Sequence, residues 1–353
     1  MLFSAAANSI LSGVSDFFGL DIGVSAARAV QLKGSGTVKA LDHYGQAPFP
    51  GTLALSDAKS DRERVAQSIH ELVRLAGINT KNVAVNLPSS HVFTTVIDIN
   101  KMPERELVKT IAYQADSYIP TASANSKIDW AVIGDSPKDA KKLEVLLSSV
   151  DNKFVEDRLD MLESVGLNVV AFEPDSLALN RAIVPVGATT PTLVLDMGSA
   201  ATDLVISIAG TPHLSRSIPT GTAAIIRAVV QNLNIEPQQA EQFVFKFGLS
   251  KDKLEGQIYN SVIGVVDGLA AEIDKSIKFF TQRYPNAKID QMIVTGGASA
   301  LPELPLYLAN HFGINVEIGN AWRNVSFAAS RQDELIAVSN HFAVAAGLAE
   351  REA

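Results

Sequence analysis

The stretch that most constrains this chain runs from Thr192 to Ile208, TLVLDMGSAATDLVISI. Leu193, Val194 and Leu195 lead into Asp196, a small-residue turn follows from Gly198 to Thr202, and alternation resumes at Leu204, Ile206 and Ile208. The pattern predicts a β-hairpin with one carboxylate at the end of its first strand and glycine and hydroxyls at its tip. The same design stands 175 residues earlier, where Phe17 to Leu32 carries Asp21, Gly23 and Ser25 in the same order. Two such units predict two related halves facing each other. A tip of glycine and small residues lets backbone N–H groups approach an anion, and a carboxylate at the strand end suits a hydrated Mg²⁺ held against phosphate. No G-x-x-x-x-G-K-[ST] segment occurs, so this is not a P-loop.

Composition narrows the field. With 353 residues, 47% of them hydrophobic and 19% charged, the chain has apolar material for a sizeable core and length for two ordinary domains. Its net charge of −8 comes without any Lys/Arg run, which argues against a nucleic-acid partner. The absence of cysteine excludes disulfides, zinc-thiolate sites and thiol nucleophiles, and suits the cytosol. The six histidines show no metal-ligand spacing. No apolar run reaches the ~18 residues of a membrane span. Residues 1–16 lack the basic start of a signal peptide, and the spacing of Leu2, Phe3, Ala6, Ile10, Leu11 and Val14 reads as a short amphipathic helix or a loose terminus.

Along the chain, 38–49 reads as a third strand, 60–76 as a helix with Val65, Ile69, Leu72, Val73 and Leu75 on one face, and 83–87 as a buried strand. The texture then changes. A strand at 91–99, a helix from 104 to about 117, strands at 128–133 and 143–150 and a helix at 152–164 make a strand-helix-strand-strand-helix insertion. A strand at 169–172 runs into Glu173-Pro174 and a helix at 175–183, and 185–191 reads as a linker. After the second hairpin come a strand at 213–218, helices at 223–233, 237–247 and 256–283, and a buried strand at 289–295 entering Gly296-Gly297-Ala298. A helix at 302–312, a strand at 316–318 and a helix at 338–350 complete the order.

Two Asp-bearing hairpins, a Glu-Pro segment after the first half and a Thr-Gly-Gly loop near the end resemble the actin-like ATPase superfamily. Within it the chain resembles the PilM family of type IV pilus assembly proteins over about residues 17–350. The most diagnostic run is Met102-Pro-Glu-Arg-Glu-Leu107 followed by Gln114-Ala-Asp-Ser-Tyr-Ile-Pro120. Leu162-Glu-Ser-Val-Gly-Leu167, Phe172-Glu-Pro-Asp-Ser-Leu-Ala178, Arg216-Ser-Ile-Pro-Thr-Gly221 and Phe342-Ala-Val-Ala-Ala-Gly-Leu348 also fit.

The resemblance implies an α/β, actin-like ATPase fold: two duplicated halves around a nucleotide cleft, with a small α+β subdomain inserted in the first half. The implied partition is 1–89 for the first half, 90–168 for the partner-binding insertion, 169–187 for the return, 188–337 for the second half, and 338–353 for a helix packing back on the first. It implies a cytoplasmic scaffold at the inner face of the bacterial inner membrane, peripheral through its partners. That scaffold would bind ATP and Mg²⁺, hold the cytoplasmic N-terminal peptide of a PilN-like protein, and connect to the pilus motor ATPases and platform protein.

By the same resemblance Asp21 and Asp196 would hold Mg²⁺ through water. Gly23, Ser25, Gly198, Ser199 and Thr202 would lie at the phosphates, Gly296, Gly297 and Ala298 at the nucleoside, and Glu241 at the ribose, with Gly221 also in the nucleotide site. Glu173 would take the water-orienting position, although Glu173-Pro174 also suits a plain helix start and Gly296-Gly297 a plain turn. Departures from the family pattern are Ala26, Ala200, Arg28, Thr222, Ala298 and Val244, the last standing where a nucleotide-facing lysine is common. Each lost hydroxyl removes about 0.5–1.5 kcal/mol of hydrogen bonding, so weakened ATP binding with weak or absent hydrolysis is expected. The alternatives are an FtsA-like division protein, whose usual C-terminal membrane helix is not found before Ala353, and a small-molecule kinase of the same fold, for which Glu173 is the one candidate base.

Overall fold

Phe18–Ile22 (β1), FGLDI, is buried at all five positions. A strand apolar on both faces has to be covered on both, which puts it in the interior of a sheet. In the computed structural model, which describes residues 16–36, 38–51, 53–121 and 123–352, that is where it lies. The amphipathic pattern of Leu2 to Val14 falls outside the described residues.

β1 turns into β2 (Ala26–Lys33), and β3 (Lys39–Pro48) follows. Helix α1 (Lys59–Leu75) leads to β4 (Asn82–Leu87). Its buried residues, Val65, Ala66, Ile69 and Leu72, form one stripe, whereas Leu75, expected on that face, is 70% exposed. At 100° per residue Leu75 has turned out of the stripe.

β5 (Val92–Asn100), α2 (Glu104–Gln114), β6 (Ser126–Asp135) and β7 (Lys142–Asp151) make a separate three-stranded antiparallel sheet in the order β5-β7-β6. Its own core joins Ile97, Ile99, Leu107, Ile111, Ile119, Val145 and Leu147. Helix α3 (Asn152–Glu163), whose N-cap Asp151 accepts from the Phe154 N–H, belongs by the sequence pattern to this insertion. Its Val155, Met161 and Leu162 instead join the main-sheet core with α1 and β1. β8 (Asn168–Pro174) and α4 (Asp175–Ile183) follow, with Glu173 and Pro174 inside the strand rather than opening the helix.

The chain divides into two compact units. The first takes the residues through Ala178, His213–Ser215 and those from Val344 on; the second takes Leu179–Pro212 and Arg216–Ala343. The main sheet of the first runs β3-β2-β1-β4-β8, with β1 antiparallel to β2 and parallel to β4.

The second unit is built on β9 (Thr192–Met197), β10 (Thr202–Ile208) and β11 (Thr211–Ile218). Helices α5 (Thr222–Leu233), α6 (Pro237–Phe247) and α7 (Gln257–Arg283) follow. Then come β12 (Gln291–Thr295), α8 (Leu304–Phe312), β13 (Asn315–Ile318) and α9 (Gln332–Val338). Its sheet runs β11-β10-β9-β12-β13, with β9 antiparallel to β10 and parallel to β12. The central hairpin, the parallel neighbour and the strand beyond it match the first unit, so the duplication read from the sequence is present in the topology.

The helix expected over 338–350 begins only at Ala343 (α10, Ala343–Glu350), because α9 ends at Val338 and a single tighter turn at Ser339–His341 separates the two. The break has a local cause: the Ser339 hydroxyl accepts from the Ala321 N–H and donates to Asn320, and the Asn340 carbonyl leaves the helix to accept from Gly296. In the first unit α10 lies close on its neighbours. A Cβ on Gly347 would stand 1.8 Å from the Ala178 carbonyl oxygen, and one on Gly19 would stand 2.4 Å from that of Ala345. Among the described residues no helix is long and apolar enough to cross a membrane.

Candidate functional site

The two hairpin tips are built alike. In the first unit the Gly23 N–H donates to the Ala26 carbonyl at 3.1 Å; in the second the Gly198 N–H donates to that of Ala201 at 2.9 Å. A Cβ on either glycine would meet that same carbonyl at 3.2 Å. Each tip is thus a tight backbone loop at the carboxyl end of a parallel-paired strand, where ligands of open α/β sheets sit.

The carboxylates at the two strand ends have different neighbours. Asp196 pairs across the hairpin with Asp203, a second carboxylate on the same face. Asp21 pairs at the equivalent register with Arg28, whose Nη1 lies 3.4 Å from its Oδ2. Burial pushes the Asp21 carboxyl up, against the Arg28 guanidinium and, farther off, that of Arg158. Burial of the Arg158 guanidinium lowers it to about 10, despite the pull of Asp175 and Asp21.

The second unit also holds the glycine loop. Gly296, at the end of β12, has φ +80°, and a Cβ there would stand 2.4 Å from Asp196 Oδ1. Only glycine fits. Its N–H donates to the Asn340 carbonyl at 2.7 Å, the Asn340 side-chain amide returns to the Gly296 carbonyl at 3.1 Å, and the Thr295 hydroxyl donates to Asn340 at 2.9 Å. At Gly297 a Cβ would meet nothing nearer than a His341 ring carbon at 3.5 Å. Gly221 is close-set for another reason. A Cβ there would lie 2.4 Å from the Ser199 carbonyl oxygen, because the Gly198 and Ser199 carbonyls accept from the Thr222 and Ala223 N–H groups that open α5. The tip of the hairpin and the start of α5 therefore form one hydrogen-bonded piece.

Asp196, Gly198, Ser199, Gly221, Gly296, Gly297 and Ala298 thus cluster around one sheet end in the second unit. Gly23 and the exposed Ser25 lie at the tip beyond Asp21 in the first. Thr202 departs from expectation: it is fully buried and its hydroxyl donates to the Thr220 carbonyl at 2.7 Å, pinning the turn before α5. Glu173 departs too. It is wholly buried in β8, and Arg351 Nη1 donates to its Oε2 at 2.9 Å, so the carboxylate serves an ion pair rather than a water. Val244 is a core residue of α6, and Glu241 is exposed on the same helix.

Mg²⁺ at Asp21 also meets a poor environment, since the Arg28 guanidinium already pairs with that carboxylate and the charge of Arg158 acts on it from farther off. The Asp196–Asp203 pair, two like charges in register, suits a cation. Among the described residues no cluster of three or more His, Asp or Glu is placed to bind a metal. Sequence reasoning missed Arg158, Arg351 and the buried Asn86, whose side-chain oxygen accepts from the Ile22 N–H at 2.8 Å. Two had a visible signal: Asn86 interrupts the apolar strand VAVNL, and Arg158 stands three residues after Val155 on the apolar stripe of α3.

Comparison with known proteins gives the family and the fold. The family model described as type IV pilus assembly protein PilM matches residues 19–353. A chain of a solved PilM-PilN type IV pilus biogenesis complex is 26% identical, with 94% of this chain and 97% of that one covered and a TM-score of 0.80. The ethanolamine utilization protein EutJ of Carboxydothermus hydrogenoformans shares the fold at 13% identity and TM-score 0.58, covering 98% and 99% of the two chains. MreB5 of Spiroplasma citri bound to AMPPNP does so at 14% and 0.51, covering 94% of each. The fold is the actin-like one, and the chain belongs to the PilM family of type IV pilus assembly proteins.

Proposed function

We propose that this chain is a nucleotide-binding scaffold of a type IV pilus inner-membrane assembly complex, which engages the cytoplasmic N-terminal peptide of a PilN-like membrane protein. One observation carries the reading: the match to the PilM–PilN complex extends over 94% of the chain at TM-score 0.80, inserted subdomain included. The insertion, with its own sheet and core, offers a preformed surface for a short peptide. From the cytoplasmic face of the membrane the scaffold would connect PilN to the motor ATPases and the platform protein.

The nucleotide part of the reading is supported by the paired hairpin tips, by the obligatory Gly296 and by the fold shared with an AMPPNP-bound MreB. The backbone N–H of Ser199 would face the phosphates, and Gly297, where a Cβ would make only an ordinary contact with His341, would lie against the nucleoside. A hydrated Mg²⁺, if present, would be held by Asp196 with Asp203 opposite and would neutralise phosphate charge. Glu173, tied to Arg351, is not free to orient a hydrolytic water, which favours binding over turnover.

Two titrations test the reading. A synthetic peptide of the PilN homologue's cytoplasmic N-terminus is expected to bind saturably to the full chain; no binding to folded protein overturns the scaffold assignment. Mg-ATP is expected to bind the wild type and to bind weakly or not at all to Asp196→Ala and Gly297→Ala. Because Gly297→Ala has room for its methyl in the fold, unchanged affinity in that variant would remove the loop from the site.

A further inference from the structure

We propose that Arg158 is a phosphate-binding residue of the first unit, taking a phosphoryl anion where a divalent cation at Asp21 would otherwise be expected. The inference rests on the nucleotide reading above and names the group that recognises the ligand in this unit.

Arg158 is half-buried on α3, yet it makes no hydrogen bond or ion pair with any described residue. Its contact is the face of Phe154, whose ring centroid lies 5.2 Å from the guanidinium carbon. Phe154 is itself stacked with the His91 ring at 4.1 Å. A guanidinium laid on an aromatic face keeps its plane fixed while its N–H edge stays open, and it carries five donors. A planar donor edge of this kind matches the oxygens of a phosphate.

Two of the carboxylates nearby already have guanidinium partners: Asp21 has Arg28 at 3.4 Å and Glu173 has Arg351 at 2.9 Å. A divalent cation added at Asp21 would meet the positive charge of Arg28 and of Arg158. A phosphate would instead supply the acceptors that Arg158 lacks.

The position suits a ligand. Asp21 stands one residue before the end of β1, Asp175 follows directly on β8, and Ser89 lies just past β4. These are the carboxyl ends of the parallel strands. The buried Ser89 hydroxyl has no hydrogen-bond partner among the described residues, so a further polar group is available there.

Calorimetric titration of ATP and of inorganic tripolyphosphate, both in EDTA, tests the proposal on the full chain, beside Arg158→Ala and Arg158→Lys. Wild type is expected to bind both ligands without metal. Arg158→Ala is expected to lose about tenfold to a hundredfold in affinity for both, as for a lost charge-assisted hydrogen bond. Arg158→Lys, which keeps the charge without the fork, is expected to fall between. Should Arg158→Ala unfold, as circular dichroism would show, the lysine variant decides by the same reading. Wild-type affinity in a folded Arg158 variant, or ATP binding that vanishes in EDTA and returns with Mg²⁺, overturns the role of Arg158 and leaves the nucleotide reading intact. No ATP binding by wild type with or without Mg²⁺ overturns both.

Discussion

Gly296 and Gly297 stand side by side in the sequence and carry unequal constraints. Gly296 is held at φ +80° with Asp196 Oδ1 2.4 Å from where a Cβ would be, so Gly296→Ala has to shift either the backbone or the carboxylate. The backbone conformation alone is expected to cost about 1–3 kcal/mol, read as a lower midpoint in urea unfolding. Gly297→Ala is expected to leave that midpoint within about 0.5 kcal/mol of wild type. The sequence could place both glycines after a buried strand but could not rank them, because the ranking depends on Asp196 and Met197 arriving from another strand. The same holds for Thr202. A hydroxyl at a hairpin tip suits phosphate, and its burial against Thr220 follows from how β11 returns beside β10.

Among the elements, α2 and the sheet β5-β7-β6 form a small body with its own core, in which Ile111 is 1% exposed. Ile111→Ala is expected to cost about 2–5 kcal/mol locally. Hydrogen exchange is expected to show faster amide exchange across β5, β6 and β7 than across β1 and β4. Helices α1 and α3 are tied differently, by Arg62 Nη1 at 2.6 Å from Asp157 Oδ1. Hydrogen bonds from Lys153, and then from Arg62, hold the Asp157 carboxyl below its ordinary 3.8. A carboxylate lowered in the folded state stabilises the fold above the unfolded value, and that stabilisation is lost as pH falls through the folded one. Asp157→Asn is therefore expected to lower the thermal midpoint at neutral pH, by no more than the ~0.2–1 kcal/mol of an exposed pair. The gap between variant and wild type should close as pH drops below 3.8. The pairing was not visible in the sequence, since 95 residues separate the partners.

For the whole molecule, ligand linkage gives a direct readout. A nucleotide that binds only the folded chain stabilises it by about 2.7 kcal/mol at a hundredfold excess over Kd. The wild-type thermal midpoint is expected to rise with Mg-ATP and that of Asp196→Ala to stay in place; an unchanged wild-type midpoint at saturating concentration would count against the nucleotide reading.

The sequence by itself determined the duplicated hairpins, the order of elements and the family. Each rests on local pattern: apolar runs ending in Asp, small residues at a tip, and short motifs in fixed succession. Only the tertiary structure decided which polar groups meet. It gave Asp21 an arginine and Asp196 an aspartate at the same register, buried Glu173 against Arg351, drew Asn340 out of a helix to hold Gly296, and set Arg158 on Phe154 beside Asp21 and Asp175. The long-range outcomes, Glu173 with Arg351 and Gly296 with Asn340, depend on residues far apart in the chain being packed to within hydrogen-bond or ion-pair distance, where low dielectric and lost solvent make each partner's identity count.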